Sequence, residues 1–151
     1  MSQAAATNRK VFHDYAVLEQ LECGIELKGC EVKSIRDGKI NINDSFARAE
    51  GSEVILYNAH ISPYAQASYL NVEPARQRRL LLRRAQIRKL AGQLTQRGLT
   101  LIPLRVYFNA RGFAKVELGV CRGKKLYDRR EDIKRRETDL EVRRALRRRN
   151  R

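Results

Sequence analysis

Across 151 residues, 32 Lys or Arg face 17 Asp or Glu, a formal net charge of +15 that calls for a polyanionic partner, nucleic acid foremost. No stretch has the apolar length of a signal peptide or a bilayer span, so we expect a soluble chain that stays in the cytoplasm. The excess charge sits in two places: residues 76–89 hold seven basic side chains and no acid, residues 122–151 hold fourteen against six, and the other 107 residues carry eleven of each sign.

Residues 1–8 read as a flexible N-terminus. Over 15–28, apolar and polar residues alternate around Cys23-Gly24, which predicts a strand that bends or bulges at the glycine. Val32 and Ile35 lie three apart and Gly38 follows as a stop, so a helix of about two turns is predicted over 31–37. Residues 45–49 and 53–58 read as strands of a hairpin turning at Glu50-Gly51-Ser52. Two prolines and little periodicity make 60–74 a loop. Ile87, Leu90, Ala91 and Leu94 fall at helical spacing before Gly98, predicting a helix over 83–97 that docks its apolar face on a sheet and leaves Arg84 and Arg88 off that face. Alternation over 100–108 and at Val116, Leu118 and Val120 predicts a second hairpin. Short strands broken by two helices suggest a mainly β protein: a small antiparallel barrel of the oligonucleotide-binding type with flanking helices, over residues 9–125.

Residues 126–151 have too few large aliphatic side chains for a core of their own. Glu131 with Arg135, Asp132 with Arg136 and Asp139 with Arg143 place an acid four residues before a base, worth a few tenths of a kcal/mol each. That favours a basic tail that is disordered alone and helical when bound.

Catalytic material is sparse. Cys23, Cys30 and Cys121 are odd in number and lack the CxxC spacing of a zinc knuckle, so they read as small packed residues. His13 and His60 stand apart from any metal-ligand pattern. Gly119 to Lys125 misses the phosphate-loop spacing and has no Ser or Thr after its lysines; Gly123 among Arg122, Lys124 and Lys125 suits the close approach of a phosphate backbone instead. Asp14, Glu22, Glu31 and Asp44 form no repeated acidic motif and read as solvated or capping carboxylates. We expect no enzyme, metal or cofactor.

The run Lys28-Gly29-Cys30-Glu31-Val32-Lys33-Ser34-Ile35-Arg36-Asp37-Gly38-Lys39, followed by Asn41 and Asp44-Ser45-Phe46, resembles the SsrA-binding protein family, also called small protein B. The resemblance continues through His60 to Tyr64, Arg78 to Leu82, Gly98 to Leu104 and Gly123 to Asp128, in the family's order and spacing. It implies a protein, monomeric when free, that binds transfer-messenger RNA and delivers it to stalled bacterial ribosomes for trans-translation. By motif match its barrel contacts would involve Asn8, Glu22, Leu81, Lys115, Arg122, Gly123 and Lys124, with the neighbouring bases Arg9, Lys10, Arg76, Arg78, Arg79 and Lys125 beside them. The tail would enter the empty messenger channel and the decoding centre of the small subunit, against 16S ribosomal RNA, through Tyr127, Asp128, Arg129, Arg130, Lys134, Arg135 and Arg136. Tyr127 stands where some members carry histidine, and Arg129 where lysine is usual, which keeps the charge and alters hydrogen-bond geometry. The alternatives from charge alone are a general RNA-binding or ribosomal protein, and an RNA-cleaving enzyme.

Overall fold

A computed structural model describes residues 4–64, 72–95, 98–124 and 126–149, the first eight residues of the last helix by backbone course only. Along the chain run β1 (Ala4–Thr7), α1 (Lys10–Asp14), β2 (Tyr15–Ile25), α2 (Gly29–Arg36), β3 (Ile40–Asn41), β4 (Phe46–Glu50), β5 (Glu53–Tyr57), β6 (His60–Ile61), β7 (Arg78–Leu81), α3 (Arg84–Leu94), β8 (Leu99–Phe108), β9 (Ala114–Gly123) and α4 (Leu126–Arg149). The pairing order β8-β4-β5-β7-β2-β9 closes back on β8, and every pairing is antiparallel. This ring is a small barrel with β1 laid against the end of β8 that β4 does not reach. Closure removes the sheet edges that would otherwise invite pairing with another chain.

Alternation set the barrel's interior. Val54, Leu56, Leu80, Leu101, Val116, Leu118 and Val120 point inward and are buried, with Ile35 of α2 and Ile87 and Leu90 of α3 joining the same core. Gly51 at φ +59° turns the first hairpin and Gly112 at φ +81° the second, conformations that a side chain disfavours. Helix α3 stops at Leu94, short of the predicted end at 97, and the Thr95 hydroxyl donates back to the Gly92 carbonyl at 2.7 Å; residues 96 and 97 lie outside the described residues. Among the described residues no helix is long and apolar enough to cross a membrane.

Three expectations are corrected. The N-terminus is ordered from Ala4: β1 pairs with Arg105 to Tyr107, and Asn8 is buried, its side-chain amide donating to the Ile42 and Pro103 carbonyls and its oxygen accepting from the Val11 amide. The bulge in β2 falls at Leu18 and not at Gly24. Gly24 instead marks where β2 pairs with both β9 and β7, opposite Lys115 on one side and Leu81 on the other. The 60–74 loop begins with a strand, since His60–Ile61 pairs with Ile40–Asn41.

Arg78 is also corrected. Its guanidinium is 1% exposed, and all five N–H groups are used: Nε and Nη2 on Glu31 Oε2 at 2.7 and 2.5 Å, Nη1 on the Ala59 and Arg76 carbonyls, and Nη2 on the Pro74 carbonyl at 2.9 Å. Arg76 adds Nε to the same Glu31 oxygen at 3.2 Å and Nη2 to Oε1. Glu31 Oε1 in turn accepts from the Lys28 amide at 2.9 Å, capping α2. Burial pushes the Glu31 carboxyl up, but the Arg76 bond, the Lys28 amide and Arg78 outweigh it and hold the group below its ordinary 4.5. These arginines staple a helix to both ends of a loop; Arg78 presents nothing to a partner.

Glu31→Gln leaves two guanidinium groups without a counter-charge, one of them fully buried, and should destabilise the fold by about 3–5 kcal/mol in chemical denaturation. Because the folded carboxyl titrates below its unfolded value, its contribution is complete above about pH 4.5 and is lost as pH falls through the folded value. Wild-type stability should therefore decline with acid below that point, and the Glu31→Gln variant should lack this component of the decline.

Candidate nucleic-acid interface

Register builds a mixed surface on the outside of the barrel. Leu81, Gly24, Lys115 and Tyr107 face one another in turn across β7, β2, β9 and β8. Two residues along, Glu22, Glu117 and Arg105 form a parallel row on the same face. Leu81 is 48% exposed. A Cβ on Gly24 would come within 3.2 Å of the Leu81 Cβ, so only glycine lets these strands approach while Leu81 and Lys115 flank an open cleft. That cleft, about 350 Å³, is also lined by Leu27, Val32 and Phe113, whose ring is 63% exposed at the hairpin turn.

The polar row is internally tied. The Tyr107 hydroxyl donates to Glu22 Oε2, Arg105 Nε donates to Glu117 Oε2 at 2.5 Å, and the Arg105 guanidinium lies 5.3 Å from the centre of the Tyr107 ring. Partial burial, and then the Glu22 carboxylate, push the Tyr107 phenol up to about 12. Tyr107 thus pins one oxygen of Glu22, and the exposed carboxylate has a second oxygen that can accept from a base amine or a ribose hydroxyl. Lys115 supplies charge for phosphate, and Leu81 with Phe113 supplies apolar surface for an unstacked base.

A second group lies at the far end of β9. Lys115 and Arg122 are seven residues apart on that strand, about 24 Å. Arg122 and Gly123 are exposed, Gly123 opposite Tyr15 and Arg122 opposite both Ala16 and Leu99. Gly123 leaves the Tyr15 ring edge uncovered, since a Cβ there would sit 4.0 Å from it. The Lys124 amide donates to the Asp14 carbonyl at 2.9 Å and its Nζ to the Phe12 carbonyl at 3.4 Å, which tie the strand's end to α1. Beneath α1, Val11 packs with Ile102, Leu104 and Cys121 in a small second core. Cys23 and Cys121 are buried in strands, and burial pushes the Cys23 thiol up to about 12.

The residues expected at the interface thus separate. Glu22, Leu81, Lys115, Arg122 and Gly123 lie on the barrel's outer surface, with Lys124 beside them. Arg9 and Lys10 are exposed on α1 and its cap, with Lys10 3.3 Å from Asp44. Arg79 is exposed but ion-paired to Glu26 at 3.0 Å and Glu53 at 3.3 Å. Asn8, Arg76 and Arg78 do structural work. Lys125 lies outside the described residues. Tyr127, Asp128, Arg129 and Arg130 fall on the backbone of α4, and Lys134, Arg135 and Arg136 are exposed on it. Sequence reasoning missed Tyr107, Arg105, Glu117 and Phe113. Alternation marked the first three as outward, but only strand pairing places them beside Glu22 and Lys115.

The chain matches the family described as SmpB protein over residues 5–148. It is 56% identical over 141 residues to an SsrA-binding protein of Caldicellulosiruptor bescii, covering 93% of this chain and 89% of the relative. To that of Moorella thermoacetica it is 56% identical over 142 residues, 94% and 92% of the two chains. A chain from a solved structure described as "tmRNA-SmpB: a journey to the center of the bacterial ribosome" superposes with a TM-score of 0.68 at 54% identity, covering 80% of this chain and 85% of that one.

In a spectrophotometric titration, the Tyr107→Phe difference should locate one phenol ionising at about pH 12. Glu22→Gln should bring that ionisation closer to the ordinary 10; an unchanged midpoint would rule out the carboxylate as a cause.

Proposed function

This chain belongs to the SmpB family, and from that membership we propose that it binds transfer-messenger RNA and acts with it in trans-translation on the ribosome. The observation that carries the reading is a family match that runs unbroken through barrel and tail, residues 5–148. The outer face supports it, because a carboxylate, a lysine and exposed apolar side chains in adjacent rows suit unpaired and folded RNA better than a uniform array of phosphates. Charge alone would also fit a general RNA-binding protein; competition with bulk transfer RNA at fixed salt separates the two, since phosphate contacts confer steep salt dependence and little selectivity.

On our reading the barrel takes the transfer-RNA-like part of the RNA through Glu22, Leu81, Lys115, Arg122, Gly123 and Lys124. The tail, from Tyr127 to about Arg149, enters the empty messenger channel and reaches the decoding centre. From Lys134 to Arg149 every side chain of α4 is exposed, so the helix lacks the apolar packing that stabilises most helices in water. The tail is then disordered in the free protein and takes its helix on the ribosome. We place no catalytic step on the chain, and RNA turnover abolished by a single carboxylate substitution would contradict that. Its place of work is where ribosomes are, the cytoplasm.

Deleting 127–151 should leave affinity for isolated transfer-messenger RNA nearly intact while abolishing peptide tagging on stalled ribosomes. Loss of both together would count against this division of labour. A 126–151 peptide should show a coil-like circular dichroism spectrum in plain buffer, and strong helicity there would contradict disorder in the free tail.

A further inference from the structure

One cleft on the described surface shares only Arg79 and Leu81 with the residues expected at the interface. It is a groove of about 610 Å³ between α3 and the edge of β5 and β7, floored by Leu80, Leu82, Ile87 and Ala91 and rimmed by Arg79, Arg84 and Arg88. Its single acid, Glu53, is already engaged by Arg79 at 3.3 Å. Arg84 and Arg88 are exposed, and neither has an acidic partner among the described residues. Four apart on one helix, they stand about 5–6 Å from each other at Cβ and act on the same neighbour. The groove therefore carries two uncompensated guanidinium groups above an apolar floor.

This groove is continuous with the RNA face. Leu81 lines both the α3 groove and the cleft that holds Lys115 and Phe113. A strand laid across Leu81 from Lys115 would next meet the groove that Arg84 and Arg88 line. Guanidinium groups grip phosphate bidentately, and the apolar floor suits the ribose and base edges that follow. A protein partner with an acidic helix would meet the same cations, but it would not need to continue across Leu81 to Lys115.

We propose that the α3 groove holds a ribose–phosphate segment of the transfer-messenger RNA that meets Leu81 and Lys115, with Arg84 and Arg88 on its phosphates. The proposal rests on the function argued above, and adds two phosphate contacts and a direction to the footprint.

The test measures binding of the full chain to transfer-messenger RNA across a salt series, for wild type, Lys115→Ala, Arg84→Ala/Arg88→Ala and Arg84→Lys/Arg88→Lys. Arg84 and Arg88 are exposed and Lys115 is half-buried on the outer face, and matched thermal melts establish that each variant is folded. The double alanine variant should bind roughly tenfold more weakly near ~0.15 M salt and lower the log–log salt slope by about 1.5, two phosphates' worth. The double lysine variant should keep the slope. Hydroxyl-radical footprinting should show a short protected stretch, adjoining the one lost with Lys115→Ala, opened by the double alanine variant. If Lys115→Ala weakens binding while the double alanine variant changes neither affinity nor slope, the groove is not part of the footprint and the function reading stands. If the double alanine variant binds the RNA normally but is poorly retained on ribosomes lacking that RNA, the groove serves the ribosome and the proposal is overturned. A wild-type chain without preference for transfer-messenger RNA over bulk transfer RNA would remove both the function reading and this inference.

Discussion

One buried carboxylate between two guanidinium groups holds together parts of the barrel that lie far apart in the chain. Glu31 caps α2 through the Lys28 amide and receives Arg76 and Arg78 from the segment leading into β7. Arg78 then reaches Ala59 and Pro74, at the two ends of the 60–74 loop, and the Pro74 carbonyl also accepts from the Ile61 amide at 3.0 Å. Such a cluster is expensive to desolvate and is stable only when every donor finds an acceptor. Here they do. The consequence is positional: with Arg78 locked, β7 enters the barrel in one register, Leu80 points into the core and Leu81 outward.

Register carries that constraint to the surface. Leu81 stands opposite Gly24, Gly24 opposite Lys115, and Lys115 opposite Tyr107, so the contents of the outer face follow from where β7 begins. A slip of one residue would turn Leu81 inward and an inward residue out, because side chains alternate strictly along a strand. Gly24 is the permissive element in this row, since the Leu81 side chain occupies the space that a Cβ there would need. The face is mixed in character: Tyr107 and Arg105 tie down the two acids, and the lysine and the apolar groups flank them. A surface of this kind can discriminate among RNA shapes where a purely cationic one would only attract them.

The charge pattern takes on a different meaning once folded. Residues 76–89 hold seven bases and no acid, yet within the fold Arg76 and Arg78 share an ion pair with Glu31, Arg79 pairs with Glu26 and Glu53, and Lys89 lies 3.9 Å from Glu19. The acids come from elsewhere in the chain. Of the three bases at the head of this segment, Arg76, Arg78 and Arg79, only Arg79 is exposed, so the outward charge is concentrated on α3 and its N-cap Arg83. The tail differs, since the acids available to it lie within its own helix and its described side chains all face solvent.

Much was legible in the sequence wherever a local period or turn governs structure. Alternation marked the strands of both hairpins and their inward faces, Gly51 and Gly112 sit at their turns, and the i, i+3, i+4 spacing from Ile87 marked α3 and its docked face. The family motifs pointed to Glu22, Leu81 and Lys115, which the fold brings onto one surface. What could not be read were facts that depend on neighbours distant in sequence. Asn8 and Arg78 look like solvent-facing polar residues until their acceptors at Ile42, Pro103, Glu31 and Ala59 arrive through tertiary contact. The ordering of β1 depends on β8 offering it an unpaired edge, and Ala4 to Thr7 alone is too short and plain to announce a strand. The sequence by itself determined a basic, mainly β chain with an RNA-binding character, because periodicity and charge are local properties. Tertiary structure alone decided which bases are buried and which face a partner, because the burial of a charge depends on counter-charges and carbonyls that chain order keeps apart.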